Sequence, residues 1–168
     1  MRPGTRYTQT FMALIIRSSP INGAGCYTTT AIKKRARILE YTGPRMTKDE
    51  ADVLYEDRDI TYLFGIGNGD TVIDGYGMAA FLNHSCNPNC ETDERGDRVF
   101  IFALRDIAAG EELAYDYNLY DGDLADPSQC YCGGANCRGT MYSPAEIKRR
   151  ERLQMKTAPE PQMPFPED

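Results

Sequence analysis

The chain holds a single histidine among 168 residues, and acidic side chains outnumber basic ones. No apolar run approaches the roughly 18 residues that a membrane-spanning helix needs, so no such span is expected. The opening residues, Met1 to Thr10, lack the charged-then-apolar layout of a secretion signal. Together these two absences lead us to expect a soluble intracellular protein. Lys and Arg number 19 against 25 Asp and Glu, a net charge of −6. Phosphate backbones select a basic face, so direct nucleic-acid binding is not expected. No internal repeat is visible. The length suits one domain with its own core rather than two, and a hydrophobic content of 41% is ordinary for a globular chain.

What is present is unevenly distributed. Acid gathers between Cys90 and Asp126, where Glu91, Asp93, Glu94, Asp97, Glu111, Glu112, Asp116, Asp121 and Asp123 outnumber the bases. Such a field would attract a cationic partner, although a solubilising surface has the same composition. Phe11 to Arg17 and Arg37 to Tyr41 read as strands. Thr47 followed by Glu50 makes a capping box, which predicts a short helix from Lys48 to about Glu56. Thr61–Ile66 and Thr71–Ile73 flank the turn Gly67-Asn68-Gly69-Asp70, and Asn89–Glu94 and Arg98–Leu104 flank Arg95-Gly96-Asp97, giving two hairpins. Glu112 to Tyr117 reads as a last strand. Six or seven short strands with little helix predict a mostly β domain. Pro144 to about Gln154 reads as one charged helix, and the proline-rich Thr157–Asp168 as disordered.

The densest chemistry lies in Asn83-His84-Ser85-Cys86-Asn87-Pro88-Asn89-Cys90. Met78–Leu82 leads into it as a short helix or strand, and Pro88 forbids a helix interior or a central strand there. Buried Asn, His and Ser side chains are costly without partners, so this turn is expected to serve a ligand, a metal or a substrate. Downstream, Cys130, Cys132 and Cys137 form Cys-x-Cys-x4-Cys, with Gly133 and Gly134 supplying bends. A closed tetrahedral zinc site needs four ligands. Cys86 is the best candidate for the fourth, Cys90 the next, and Cys26 lies far from both clusters in sequence. Inside a cell such a cluster points to metal more than to disulfides or free thiols.

Tyr115-Asp116-Tyr117 alternates, which would put both rings on one face of a strand, and Tyr62 with Phe64 repeats the pattern. Paired aromatics at that spacing commonly belong to a core. Gly23-Ala24-Gly25 lets a ligand approach the backbone closely, as it does an ordinary turn.

Taken together the pieces resemble the SET-domain family of protein lysine methyltransferases with its zinc-binding post-SET segment. The resemblance runs from about Ala13 to Met141. It rests on Gly23-Ala24-Gly25, Glu40-Tyr41-Thr42-Gly43, Thr61-Tyr62-Leu63-Phe64, the stretch Phe81 to Asn89, Gly110-Glu111-Glu112-Leu113-Ala114-Tyr115-Asp116-Tyr117, and Cys130-x-Cys132-Gly133-x3-Cys137-Arg138. It implies small curved sheets around a pseudoknot, with Ala114–Tyr117 passing through a loop near Asn83. The implied division is a tail at 1–10, a SET domain at 11–121, a post-SET segment at 122–142, and a helix with a disordered tail at 143–168.

The resemblance also implies roles. S-adenosylmethionine would touch Gly23, Ala24, Gly25, Cys26, Tyr62, Asn83 and His84. A target lysine would enter from the opposite side past Tyr62, Phe64, Tyr115 and Tyr117, with Tyr117, Tyr115 and Tyr62 as catalytic residues. Cys86, Cys130, Cys132 and Cys137 would bind structural zinc. The implied partner is a basic, histone-like protein, in the nucleus if the source is eukaryotic and in the cytoplasm if bacterial. Where family members often carry Asn and Arg or His before Phe81, this chain has Tyr76 and Ala80. No cysteine-rich segment precedes the domain and no reader module accompanies it, so substrate choice is expected in the domain, its 48–76 insert or a partner. The alternatives are a non-catalytic SET-like module binding basic peptides, and a zinc-clamped interaction protein of unrelated fold.

Overall fold

A computed structural model describes residues 13–58 and 60–157. Its order is β1 (Leu14–Ser18), β2 (Ala24–Thr28), β3 (Arg37–Tyr41), β4 (Arg45–Thr47), α1 (Lys48–Tyr55), β5 (Leu63–Ile66), β6 (Thr71–Asp74), a 3-10 turn (Met78–Phe81), β7 (Asn83–His84), β8 (Cys90–Arg95), β9 (Arg98–Ala103), β10 (Ala114–Tyr115) and α2 (Pro144–Thr157). The mostly β expectation holds. Ten strands are formed among the described residues, more than the six or seven expected: β2 begins in the glycine-bearing stretch read as a turn, and β4 and β7 are only three and two residues long and show no periodicity of their own. The first strand lies at Leu14–Ser18, later than expected, and Phe11 falls outside the described residues. So does the predicted disordered tail beyond Thr157.

Strands β1 and β2 form a two-stranded sheet; β4, β6 and β5 form a second; β3, β9, β8, β10 and β7 form a third. The β5–β6 and β8–β9 hairpins are the two predicted ones. Helix α1 begins at the predicted capping box: Thr47 Oγ1 accepts from the Glu50 N–H, and the Glu50 carboxylate accepts from the Thr47 N–H.

The predicted strand Glu112–Tyr117 is reduced to Ala114–Tyr115, because only those residues find partners on both sides. β10 runs parallel to β7, Ala114 beside Asn83 and Tyr115 beside His84, and parallel to β8 at Cys90. The loop joining β7 and β8 closes around it: Ser85 N–H donates to the Tyr115 carbonyl and Asn89 N–H to the Ala114 carbonyl. Asn89 Oδ1 accepts from the Ala114 N–H, while its Nδ2 donates to the Glu112 carbonyl. Residues 83–90 thus grip one short segment along both edges, the crossing that the resemblance implies.

One core cluster joins Leu82, Cys90, Ile101, Ile107, Leu113 and Tyr115; a second joins Tyr41, Ile66, Ile73, Ala79 and Val99. Phe64 packs against both, so the face between the two clusters carries aromatic side chains. Much of the acid between Cys90 and Asp126 is offset locally. Asp93 pairs with Arg95, Glu111 with Arg105, Asp116 with Arg138 and Asp121 with Lys48. The exposed pairs among these contribute at most about 1 kcal/mol each, but all four leave less net field than the composition suggests.

Candidate functional site

Tyr62, Phe64, Tyr115 and Tyr117 line one cavity of about 270 Å³, with Tyr41 and Leu82 beside them. The rings are in contact: Tyr115 and Tyr117 centroids lie 4.8 Å apart, Phe64 and Tyr115 6.2 Å, Tyr41 and Phe64 5.2 Å. The Tyr115–Tyr117 spacing therefore does bring two rings together, although Tyr117 lies beyond the strand. The cavity's far end is polar, walled by Lys48, Asp52, Tyr120 and Asp121. Ala80 also lines it, whereas Tyr76 stands 63% exposed.

Burial, with the nearby Tyr62 and the Glu112 carboxylate, pushes the Tyr117 phenol well above its ordinary pKa. Burial does the same to Tyr115, reinforced by Tyr117 and Tyr41. Both are phenols at neutral pH. The Tyr117 hydroxyl donates to the Leu82 carbonyl at 2.8 Å, which fixes its proton and leaves its oxygen free to accept. Among the described residues nothing hydrogen-bonds the Tyr115 hydroxyl. The arrangement can orient a donor at the cavity floor but cannot act as a base there.

The remaining predicted ligand-binding residues gather at a neighbouring place, not in this cavity. Asn83 and His84 are buried, and Asn83 Nδ2 donates to the Ala24 carbonyl at 3.0 Å. His84 Nδ1 accepts from the Tyr117 N–H at 3.1 Å, and the two rings meet edge to face at 5.3 Å. Burial, aided by Arg138 and opposed by Asp116, pulls the His84 pKa down to about 4; the ring is neutral with its proton on Nε2, 3.3 Å from Cys86 Sγ.

Gly23 has φ +43° with open space where a Cβ would project, so its backbone is accessible to a ligand. Gly25 is different: a Cβ there would overlap the Glu112 carboxylate, so the missing side chain serves Glu112. The Cys26 side chain belongs to the core, and burial, with Glu112, pushes its thiol up to about 11. Any contact from Cys26 to a ligand is through its backbone.

Cys86, Cys130, Cys132 and Cys137 come together with all four sulfurs within 4.8 Å of one another, and Cys86 and Cys130 are 3.7 Å apart. Zn–S bonds of about 2.3 Å at tetrahedral angles give S···S edges of about 3.8 Å, so the set fits zinc. Cys90 is excluded from it: fully buried in the core, its thiol is pushed up to about 12 by burial. Four thiolates side by side would repel one another, so holding the set deprotonated calls for a cation. The Arg138 backbone N–H donates to Cys86 Sγ at 3.4 Å, while its guanidinium is paired with Asp116 through two hydrogen bonds.

Sequence reading missed Ser19 and Glu112, which flank the Asn83 amide, and Tyr27, which holds Glu112. Glu112 stood inside a quoted motif, but nothing local marked its side chain, since its partners lie 29 to 93 positions away.

The SET domain family model matches residues 23–118, more than half of the chain. The chain belongs to the SET-domain family. Among curated relatives this SET protein is 38% identical to "Histone-lysine N-methyltransferase trr" of Drosophila melanogaster, over 73% of this chain and 6% of that protein. It is 33% identical to "Histone-lysine N-methyltransferase SUV39H2" of Homo sapiens, over 84% of this chain and 40% of the relative. It is 38% identical to "Histone-lysine N-methyltransferase, H3 lysine-4 specific" of Saccharomyces cerevisiae, over 73% and 12%. The chain thus spans less than half the length of each. No helix among the described residues is long and apolar enough to cross a membrane.

Proposed function

We propose that this SET protein is an S-adenosylmethionine-dependent methyltransferase acting on the ε-amine of a lysine in a basic, histone-like protein. The observation that carries the reading is the aromatic cavity of Tyr62, Phe64, Tyr115 and Tyr117, joined through Leu82 to the Asn83–His84 segment. When bound at Gly23, Ala24, Gly25, Cys26, Tyr62, Asn83 and His84, S-adenosylmethionine supplies an electrophilic methyl group on a sulfonium.

A lysine must arrive there uncharged although its free pKa is about 10.4. The buried aromatic walls disfavour the ammonium by desolvation and exclude water from the reaction path. Tyr117, its proton on Leu82, accepts from the amine and aims the nitrogen lone pair; alignment of this kind is most of what an in-line displacement requires. Tyr62 and Phe64 bracket the side chain. The Tyr115 hydroxyl, without a protein partner, holds a water or the amine and limits room, which favours one or two methyl groups over three.

Zinc on Cys86, Cys130, Cys132 and Cys137 would be structural. We assign 11–121 to the SET domain, 122–142 to the post-SET segment and 143–168 to the C-terminal helix and tail, and place the protein with its histone-like substrate in chromatin if the source is eukaryotic. The names of the relatives support the substrate class, and Asp52, which lines the cavity beside the Lys48–Asp121 pair, agrees with a cationic side chain.

The test is incubation with labelled S-adenosylmethionine and a panel of basic proteins, followed by mass spectrometry of the modified residue. Methyl transfer to lysine is expected, and Tyr117→Phe should lower the rate about 100-fold or more, the usual cost of one preorganised polar contact in the transition state. Cofactor binding without methyl transfer to any protein would favour the non-catalytic peptide-binding reading; near-full activity of Tyr117→Phe would remove that residue from catalysis.

A further inference from the structure

The Asn83 side chain is held more firmly than one ligand contact requires. Its two Nδ2 hydrogens go to Glu112 Oε1 at 2.8 Å and to the Ala24 carbonyl at 3.0 Å, with Ser19 Oγ beside the nitrogen at 3.2 Å. Reversing the amide would set its oxygen against a carboxylate and a carbonyl, both acceptors, so one orientation alone is allowed. Glu112 is held in turn: Oε1 accepts from the Ser19 hydroxyl at 2.7 Å and Oε2 from the Tyr27 hydroxyl at 2.8 Å. Gly25 has no side chain where that carboxylate sits. Among the described residues Glu112 forms no ion pair, unlike its neighbour Glu111, which Arg105 neutralises. A half-buried carboxylate held by neutral donors alone thus sits beside Asn83.

We propose that Glu112 is a positioning residue for the cationic amino-acid end of the cofactor. It locks and polarises the Asn83 amide so that Oδ1 is the atom presented to the ligand's α-ammonium. The proposal rests on the reading of this place as the S-adenosylmethionine site. Two effects act in the same direction. A hydrogen bond from Nδ2 to a charged acceptor strengthens Oδ1 as an acceptor, because chained hydrogen bonds polarise one another. The unpaired carboxylate also attracts an ammonium through the partly desolvated interior. Ser19 and Tyr27 serve by holding the carboxylate, and none of the three needs to touch the ligand.

A purely structural Glu112 would affect every ligand alike, whereas a positioning Glu112 affects only those carrying the amine. The experiment is calorimetric titration of the zinc-loaded protein with S-adenosylhomocysteine and with its analogue lacking the α-amino group. Glu112→Gln should weaken S-adenosylhomocysteine about 10-fold, the range for a hydrogen bond to a charged group. It should change the deaminated analogue by no more than about twofold. Ser19→Ala, which keeps the carboxylate and removes one donor to it, should show a smaller loss, again only for the amine-bearing ligand; it also serves if Glu112→Gln does not fold. Equal weakening of both ligands, or no weakening of either, overturns the proposal. A wild-type protein that binds S-adenosylhomocysteine normally while the variants show that flat pattern leaves the site reading standing. A wild-type protein that binds neither ligand overturns both.

Discussion

Tyr115 and Tyr117 carry the same side chain 4.8 Å apart, yet their hydroxyls face different conditions. One gives its proton to the Leu82 carbonyl; the other finds no protein partner. The first is suited to orienting an amine, the second to occupying space and holding a water. Removing the second hydroxyl should therefore enlarge the cavity floor without removing the orienting group. Tyr115→Phe is expected to retain most of its methyl-transfer rate and to raise the trimethylated fraction of product, read by mass spectrometry against time. An unchanged product distribution would dissociate Tyr115 from the limit on methylation. Asn83, His84 and the four cysteines could be singled out in the sequence because they cluster at short spacings, whereas the two tyrosines read as core until the resemblance placed them in a channel. Glu112 could not, since a glutamate in an acidic stretch looks like surface until Ser19, Tyr27 and Asn83 are seen around it.

At the scale of elements, what was legible was local. The capping box at Thr47 and the glycine-bearing turns of both hairpins form from neighbours in sequence, and all three elements were predicted within about two residues. Strand β7 was not legible and β10 was legible only as part of a longer run, because two residues become a strand only when distant chain presents matching donors and acceptors. The role of α2 was equally hidden. The spacing predicted a charged helix ending near Gln154; the helix runs to Thr157, and one of its charges is an anchor. Arg150, 8% exposed, pairs with Glu146 at 2.9 Å and lies over the Tyr142 ring at 3.6 Å from its centroid. Its guanidinium also donates to the carbonyls of Gly122, Asp123 and Asp126. One side chain thus closes the 122–126 loop onto the helix. Arg150→Met would leave Glu146 to Arg149 alone and three carbonyls without their donor. It should lower unfolding stability by about 2 kcal/mol, the cost of leaving buried acceptors unpaired, measured by urea denaturation; a loss comparable to that of an exposed pair would show that the loop is held by something else.

For the molecule as a whole, the His84 ring connects the cysteine cluster to the cavity. Cys86 faces His84 Nε2, and His84 Nδ1 holds the Tyr117 N–H, so the thiolate cluster and the orienting tyrosine share one imidazole. Chelation of zinc should lower Tm by roughly 10 °C, the shift that a loss of about 3 kcal/mol gives at this size. It should also weaken S-adenosylhomocysteine binding in the same titration. A chelated protein with unaltered ligand affinity would show that the ring stays in place without the metal.

The grip of residues 83–90 on Ala114 and Tyr115 has a temporal consequence as well. As the chain leaves the ribosome, the first hairpins can form from local contacts, but the slot between β7 and β8 stays empty until a segment more than twenty residues later emerges to fill it. Pairings between distant segments are slow to form, and an unfilled slot between strands exposes the kind of edge that recruits other chains. The nascent protein is therefore most prone to aggregate after His84 and Cys90 have emerged and before Tyr115 arrives, and a chaperone that shields it need act only during that interval.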